Sequence, residues 1–241
     1  METAFVAGAS GVIGLHLVPL LAADGWRVVG TTLSPGKAER LRALGAEPVV
    51  VDALDRDTLC AAVLRAGPRL VIHQLTSLPD GLDPKLMPEA LARNAHLRDV
   101  GTRNLVAASE AAGVHRLVAQ SIAFAYAGTA TPFAEEDPLA TEAEGALGVT
   151  ARGVASLERQ VLDAALDGVV LRYGYLYGPN TGFDAPIRRG AVHCRAAVEA
   201  TRLAALFGRP GIYNIAGDDG FVSIAKARAE FGWSPDDQGR R

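Results

Sequence analysis

Three glycines at a fixed spacing are the first residues in this chain that suggest chemistry. Gly8, Gly11 and Gly14 fall in "FVAGASGVIG", between an apolar run and the helical pattern "GLHLVPLLAADG". Such a loop brings backbone N–H groups of Gly8, Ser10, Gly11, Val12, Ile13 and Gly14 and a helix N-terminus toward one point. Orphan donors and the helix dipole both favour an anion there, and a dinucleotide pyrophosphate suits it. A tight strand-to-helix turn without a ligand is the alternative reading of the same glycines. Other chemistries fit less well. His16, His73, His96, His115 and His193 are scattered without metal-ligand spacing, so no metal site is expected, and His73 reads as a satisfied core histidine. Ser121 lacks the flanking glycines of a nucleophile elbow, which argues against an α/β-hydrolase. Cys60 and Cys194 are isolated, so neither a disulfide framework nor a zinc site is indicated. Asp218 and Asp219 read as solvated turn residues.

The elements that would hold the loop alternate regularly. Strand patterns are "TAFVAG", "RVVGTT", "EPVVVD", "RLVIHQL", "HRLVAQS" and "GVVLRYG". Between them lie "GKAERLRALG", "RDTLCAAVLRAG", "GTRNLVAASEAAG" and "SLERQVLDAALDG", apolar at i, i+3 and i+4 and mostly closed by Gly. Continuously apolar strands alternating with helices imply a doubly wound α/β architecture, a parallel Rossmann-type sheet covered on both faces. After about residue 174 the rhythm changes to a turn-rich crossing, a helix in "AVEATRLAALF", a strand in "GIYNIAG" and a charged helix in "IAKARAEFGWSPDDQ". The expected organisation is a dinucleotide-binding domain over 1–173 and a small substrate-binding lobe over 174–241, interleaved with the sheet.

The Gly-x-x-Gly-x-x-Gly spacing resembles the short-chain dehydrogenase/reductase superfamily, and more closely its extended branch, the NAD-dependent epimerase/dehydratase family. "VVVDALD", "VIHQLT", "GTRNLVAASEAAGVHRLVAQS", "VVLRYGYLYGPNTG" and "IAKARAEFGWSP" are similar to that family's segments over most of the chain. The resemblance implies that Asp52, with Ala53 beside it, contacts the adenine. It implies that Leu75 and Thr76 line the cofactor and that Tyr173 lies near the nicotinamide. Beside it the C-terminal lobe looks abbreviated, with "RRG" running into "AVHCRAAVEAT" and "AGDDG" into "FVSIAKAR". A trimmed lobe and segments missing from the sequence are both open at those two junctions.

The spacing rule for NAD sites places an acid roughly 20 residues past the loop, where it accepts from the ribose 2′-OH. Thr31 and Thr32 stand there instead, and Lys37 and Arg40 follow. NADP is favoured, with NAD as the other option. A solvated role for the two basic residues is the competing reading.

In the family that this chain resembles, a Tyr and a Lys four residues apart pass a proton and grip the nicotinamide ribose, with a Ser or Thr nearby. Anchoring on "LERQVL" puts Thr150 and Val154 at those two places, and no Lys occurs between residues 86 and 225. "QSIAFAYAG" puts Ile122 at the hydroxyl position, with Ser121 one residue earlier and Tyr126 as the loop tyrosine. Ser121 and Tyr126 are therefore the candidate proton donors, and a purely structural role is open for Ser121.

Of the 241 residues, 49% are apolar and the net charge is −3, which fits a globular protein with a proper core. No long basic run points to nucleic acid, although Arg188, Arg189, Arg240 and Arg241 are locally basic. No stretch approaches the roughly 20 apolar residues of a membrane span, and no leader pattern precedes the first strand. The expectation is a cytoplasmic NAD(P)-dependent oxidoreductase, epimerase or dehydratase acting on a carbonyl or sugar-like small molecule. A homodimer is left open. The alternative is a dinucleotide-binding module without redox turnover, a sensor or a scaffold.

Overall fold

The computed structural model describes residues 1–237, so Arg240 and Arg241 lie outside the described residues. Strands β1 (Thr3–Ala7), β2 (Arg27–Thr32), β3 (Ala46–Val50), β4 (Leu70–His73), β5 (Arg116–Ile122) and β6 (Asp167–Tyr173) join one parallel sheet. β7 (Leu176–Tyr177) and β8 (Val192–His193) form a separate parallel pair, and β9 (Gly211–Ile215) completes the large sheet beside β6. The sheet order is 3-2-1-4-5-6-9. The order reverses between β1 and β4, and ligands in open α/β sheets bind at that reversal.

Alternate residues of each strand feed two cores. Ala4 and Val6 of β1 pack toward α1 (Val12–Ala23), α2 (Ala38–Ala43) and α7 (Cys194–Phe207) through Leu17, Leu21, Leu41 and Ala196. Phe5 and Ala7 face α3 (Arg56–Ala66), α5 (Thr102–Ala111) and α6 (Gly145–Leu162) through Leu59, Val63, Leu105 and Leu157. Period-two strands between two helical layers explain why the sequence shows no polar face. The α3 boundaries follow from local chemistry. Asp55 accepts from Thr58 N at its start (3.2 Å), and Gly67 ends it in the left-handed region. α8 (Ala225–Phe231) stops at Gly232 in the same way, and Trp233 beyond it donates to Ala196 O (2.8 Å), tying the last segment to α7.

Some boundaries differ from the sequence pattern. α6 begins at Gly145 and ends at Leu162, so "DAALDG" is not helical, and α7 starts three residues earlier than the apolar pattern. α4 (Met87–His96) runs into α5 through a π turn over Leu97–Gly101, a junction that no glycine–proline signal announces. The two abbreviated junctions close as tight turns that meet each other. Gly190 N donates to Asp219 Oδ2 (2.6 Å), and Arg189 Nη2 donates to Asp219 O (3.2 Å). Asp218 and Asp219 are both exposed in this turn, as the sequence suggests. Asp219 in addition ties the two junctions together, and Asp218 pairs with Arg228 at the surface (2.9 Å).

Candidate cofactor and active site

The glycine loop sits where β1 and β4 diverge. Gly8 has φ +85°, and a Cβ there would lie 2.6 Å from Gln74 O, so the loop rests directly on the chain leaving β4. At Gly14 a Cβ would meet Ala9 O at 2.4 Å, which is how α1 comes so close to the loop. Gly11 caps α1 without a side chain, leaving the N–H groups of Val12, Ile13 and Gly14 at the helix N-terminus for a ligand. A cradle of backbone donors that a Cβ would distort fits a pyrophosphate.

The end of β2 braces this cradle. Gly8 N donates to Thr31 Oγ1 (3.0 Å), and Ser10 Oγ donates to Thr32 Oγ1 (3.0 Å), which also accepts from Ser34 N (3.2 Å). Both threonines are buried, whereas Lys37 and Arg40 are exposed just beyond them. Asp52 is exposed at the end of β3, with Oδ1 accepting from Leu54 N (2.9 Å). Ala53 is buried and its carbonyl accepts from Asn104 (2.9 Å). Leu75 is half-buried and Thr76 exposed beside the glycine loop, after His73. The structure therefore gathers Gly8, Ser10, Gly11, Val12, Ile13, Gly14, Thr32, Leu75 and Thr76 around the reversal of the sheet.

Tyr173 departs from its expected place as a cofactor contact. It is 1% exposed, and its phenol accepts from Gln74 Nε2 (3.2 Å) and bonds Thr201 Oγ1 (2.5 Å). Burial pushes this phenol up to about 12. Its partner Gln74 backs the cradle through its main chain beside Gly8, and Gln74 Oε1 is enclosed without a partner among the described residues.

Ser121 and Tyr126 also differ from expectation, because neither hydroxyl is presented to solvent. Ser121 is 0% exposed and its Oγ donates to Glu158 Oε1 (2.6 Å). Glu158 takes both ends of the Arg172 fork (2.8 and 2.7 Å), and Arg172 Nη1 donates to Tyr126 OH (2.8 Å). Tyr126 in turn donates to Asn214 Oδ1 (2.7 Å), and Glu135 accepts from Asn214 N (2.8 Å). Burial disfavours the charge on Arg172, but the bonds to Glu158 and Tyr126 outweigh it and hold the guanidinium above its usual range. Burial raises the Tyr126 phenol as well. The network locks β5, β6, β9 and α6 together at their ends.

Two of the places expected for the proton relay, Val154 and Ile122, are apolar, and the third holds the hydroxyl of Thr150. Val154 is 0% exposed and belongs to a cluster with Ile122, Ala125, Ala140 and Ala151, against which Phe124 packs. Thr150 is half-buried one turn earlier. Phe124 stacks on Tyr175, with ring centroids 4.1 Å apart and planes 10° from parallel, and the Arg188 guanidinium lies 5.5 Å over the Tyr175 ring. The sequence pointed to neither this aromatic pair nor the buried Arg98 of the π turn, which is 5% exposed. Aromatic residues in a crossing and an arginine in a helix read as packing and surface until tertiary contacts place them.

Comparison with known proteins gives the family and the fold. The family described as NAD(P)H-binding matches residues 8–205. A 3-diazoavenalumate denitrifying reductase from a Streptomyces species is 44% identical over 227 residues, covering 93% of this chain and 71% of that protein. A UDP-glucose 4-epimerase from Mycolicibacterium smegmatis is 32% identical over 182 residues, 72% of this chain and 56% of that protein. Among solved structures, the UDP-glucose 4-epimerase of Thermotoga maritima superposes with a TM-score of 0.78 at 21% identity, covering 98% of this chain and 94% of that one. At that identity the likeness is one of fold.

Proposed function

The chain belongs to the NAD(P)H-binding family and is reductase- and epimerase-like, and we propose that it reduces a planar, electron-poor aromatic substrate of the arenediazonium type. The observation that carries this reading is the apolar cluster of Ile122, Val154 and Phe124 where the resembling family places its proton-transfer groups. Reduction of a carbonyl leaves an oxygen that must gain a proton, and a positioned acid typically contributes roughly 10²–10⁴-fold to such a step. A reduced nicotinamide, when bound, would supply a hydride; with a diazonium acceptor the balance would be a broken C–N bond, released dinitrogen and a new aromatic C–H bond, with no oxygen to protonate. The relative at 44% identity carries a name that describes denitrifying reduction of a diazo compound.

The chain's own residues fit such a substrate. Val154, Ile122 and Ala151 exclude water from the site, which protects a reactive cation from hydrolysis. The half-buried Phe124–Tyr175 pair places aromatic rings at the exits of two strands, where a planar ring can pack beside them. Residues 174–241 contribute Tyr175 and Arg188 and act as the substrate lobe in this reading. The test is cofactor oxidation followed spectrophotometrically with an arenediazonium salt, with protein-free controls and gas analysis for dinitrogen. Protein-dependent oxidation matched by dinitrogen release is expected. Oxidation with simple carbonyls or interconversion of UDP-sugars, and none with the diazonium salt, would overturn the reading.

A further inference from the structure

Arg98 is a buried cation. It is 5% exposed, and among the described residues its guanidinium forms no hydrogen bond or ion pair. Its nitrogens are not among the fully enclosed atoms without a partner, so the guanidinium ends at a crevice and not inside the packing. Burial lowers its pKa to about 10, which leaves it charged at neutral pH. Buried charges are ordinarily paired, so an arginine held in this way is a binding group awaiting an acceptor.

Its neighbours show where the crevice lies. Asn94, one turn earlier, accepts from Ser77 N (2.8 Å), and Thr102, one turn later, bonds His73 Nε2 (2.9 Å). Residues 94, 98 and 102 therefore face the segment His73–Ser77, which carries Leu75 and Thr76 beside the glycine loop. On its other side Arg98 is close enough to Glu158 of α6 to feel its charge. Val154 lies one turn before Glu158 on that helix, and α4 meets α6 closely next to it, where a Cβ on Gly153 would be 2.9 Å from Ala95 Cα. Arg98 thus stands between the post-β4 segment and the residue that replaces the expected lysine. The π turn that carries it is a device often found at functional sites.

We propose that Arg98 supplies the cation missing at Val154 and donates to the hydroxyls of the nicotinamide ribose, holding that half of the dinucleotide from the opposite helix. A planar guanidinium offers five fixed donors and suits a vicinal diol, whereas an ammonium at position 154 would have to enter an apolar cluster. The proposal rests on NAD(P) binding and not on the identity of the substrate.

Calorimetric titration of the full chain, without substrate, tests it. The ligands are NADPH and 2′,5′-ADP, the latter carrying only the adenosine half. Hydrogen bonds from a charged group are worth about 1.5–3 kcal/mol, so Arg98→Met should weaken NADPH roughly ten- to a hundredfold and leave 2′,5′-ADP unchanged. Arg98→Lys, which keeps the charge with fewer donors, should fall between the two. Equal weakening of both ligands, or unchanged NADPH affinity in a folded Arg98→Met chain, would overturn the proposal. If Arg98→Met does not fold, Arg98→Lys decides alone, by selective or unselective weakening.

Discussion

Ser121 and Glu158 are joined by a 2.6 Å hydrogen bond in the interior, and the same carboxylate holds Arg172 at 2.7 Å. This relationship makes the serine part of a buried polar lattice. Breaking a buried pair by removing one partner costs about 3–5 kcal/mol, because the other charge is stranded. Glu158→Gln should lower the unfolding free energy by about that amount in denaturant titrations. Ser121→Ala removes one bond to a charged acceptor and should cost about 1–3 kcal/mol. Turnover of folded Ser121→Ala and Tyr126→Phe should fall far less than the roughly 10²–10⁴-fold that loss of a proton donor produces. A hundredfold drop in either would restore that residue as the donor.

Installing the expected lysine should harm the protein. Val154→Lys forces a longer, charged side chain into the cluster of Ile122, Ala125 and Ala151. Overpacking alone costs about 1–3 kcal/mol, and the unpaired charge adds to it. Thermal melts should show a clearly lowered Tm and no gain in carbonyl reduction. An unchanged Tm with new carbonyl reductase activity would show that the site is open and polar.

Cofactor preference should follow the end of β2. With Thr31 and Thr32 in place of an acid, no carboxylate there repels a 2′-phosphate, and the exposed Lys37 and Arg40 lie within the same turn. NADPH should bind at least as tightly as NADH. The double change of Lys37→Ala and Arg40→Ala should weaken NADPH severalfold, in keeping with about 0.2–1 kcal/mol per exposed pair, and leave NADH unaltered. A tighter NADH in the unaltered chain, measured by calorimetry, would contradict this.

His73 gives the fold an acid-sensitive point. Burial, aided by the nearby Arg98 charge, lowers its pKa from 6.5 to about 4, and the neutral ring bonds Thr102 and accepts from Leu75 N (3.3 Å). Its folded pKa lies below the unfolded one, so its stability contribution is complete above pH 6.5 and is lost as pH falls toward 4. The loss amounts to at most about 3 kcal/mol. Denaturant midpoints between pH 7 and 4 should decline more steeply for the parent chain than for His73→Gln. Equal slopes would remove His73 from the account.

The sheet and the cradle were legible because they depend on local rules. Continuous apolar runs give buried parallel strands, and Gly8 and Gly14 are required by backbone approaches that a Cβ would block. The core role of His73 followed from its place in an apolar run. What was not legible depends on long-range packing. The burial of Ser121, Tyr126 and Tyr173 comes from partners 37, 88 and 99 residues away, Glu158, Asn214 and Gln74. Arg98 in a helical segment gives no sign of being enclosed, and the stack of Phe124 on Tyr175 joins the exits of two strands. Asp219 is exposed as its turn sequence suggests, but its bond from Gly190 comes from a segment 29 residues away that no local pattern announces.

The most direct test of the central claim follows the hydrogen itself. The chain would be incubated with an arenediazonium salt and reduced cofactor deuterated at the transferring carbon of the nicotinamide. The product arene would then be analysed by mass spectrometry and NMR. The account predicts one deuterium at the ring carbon that carried nitrogen, in water of ordinary isotopic composition and dependent on the protein. Ring hydrogen drawn from solvent, or label delivered only to a carbonyl carbon when such a substrate is offered, would contradict it.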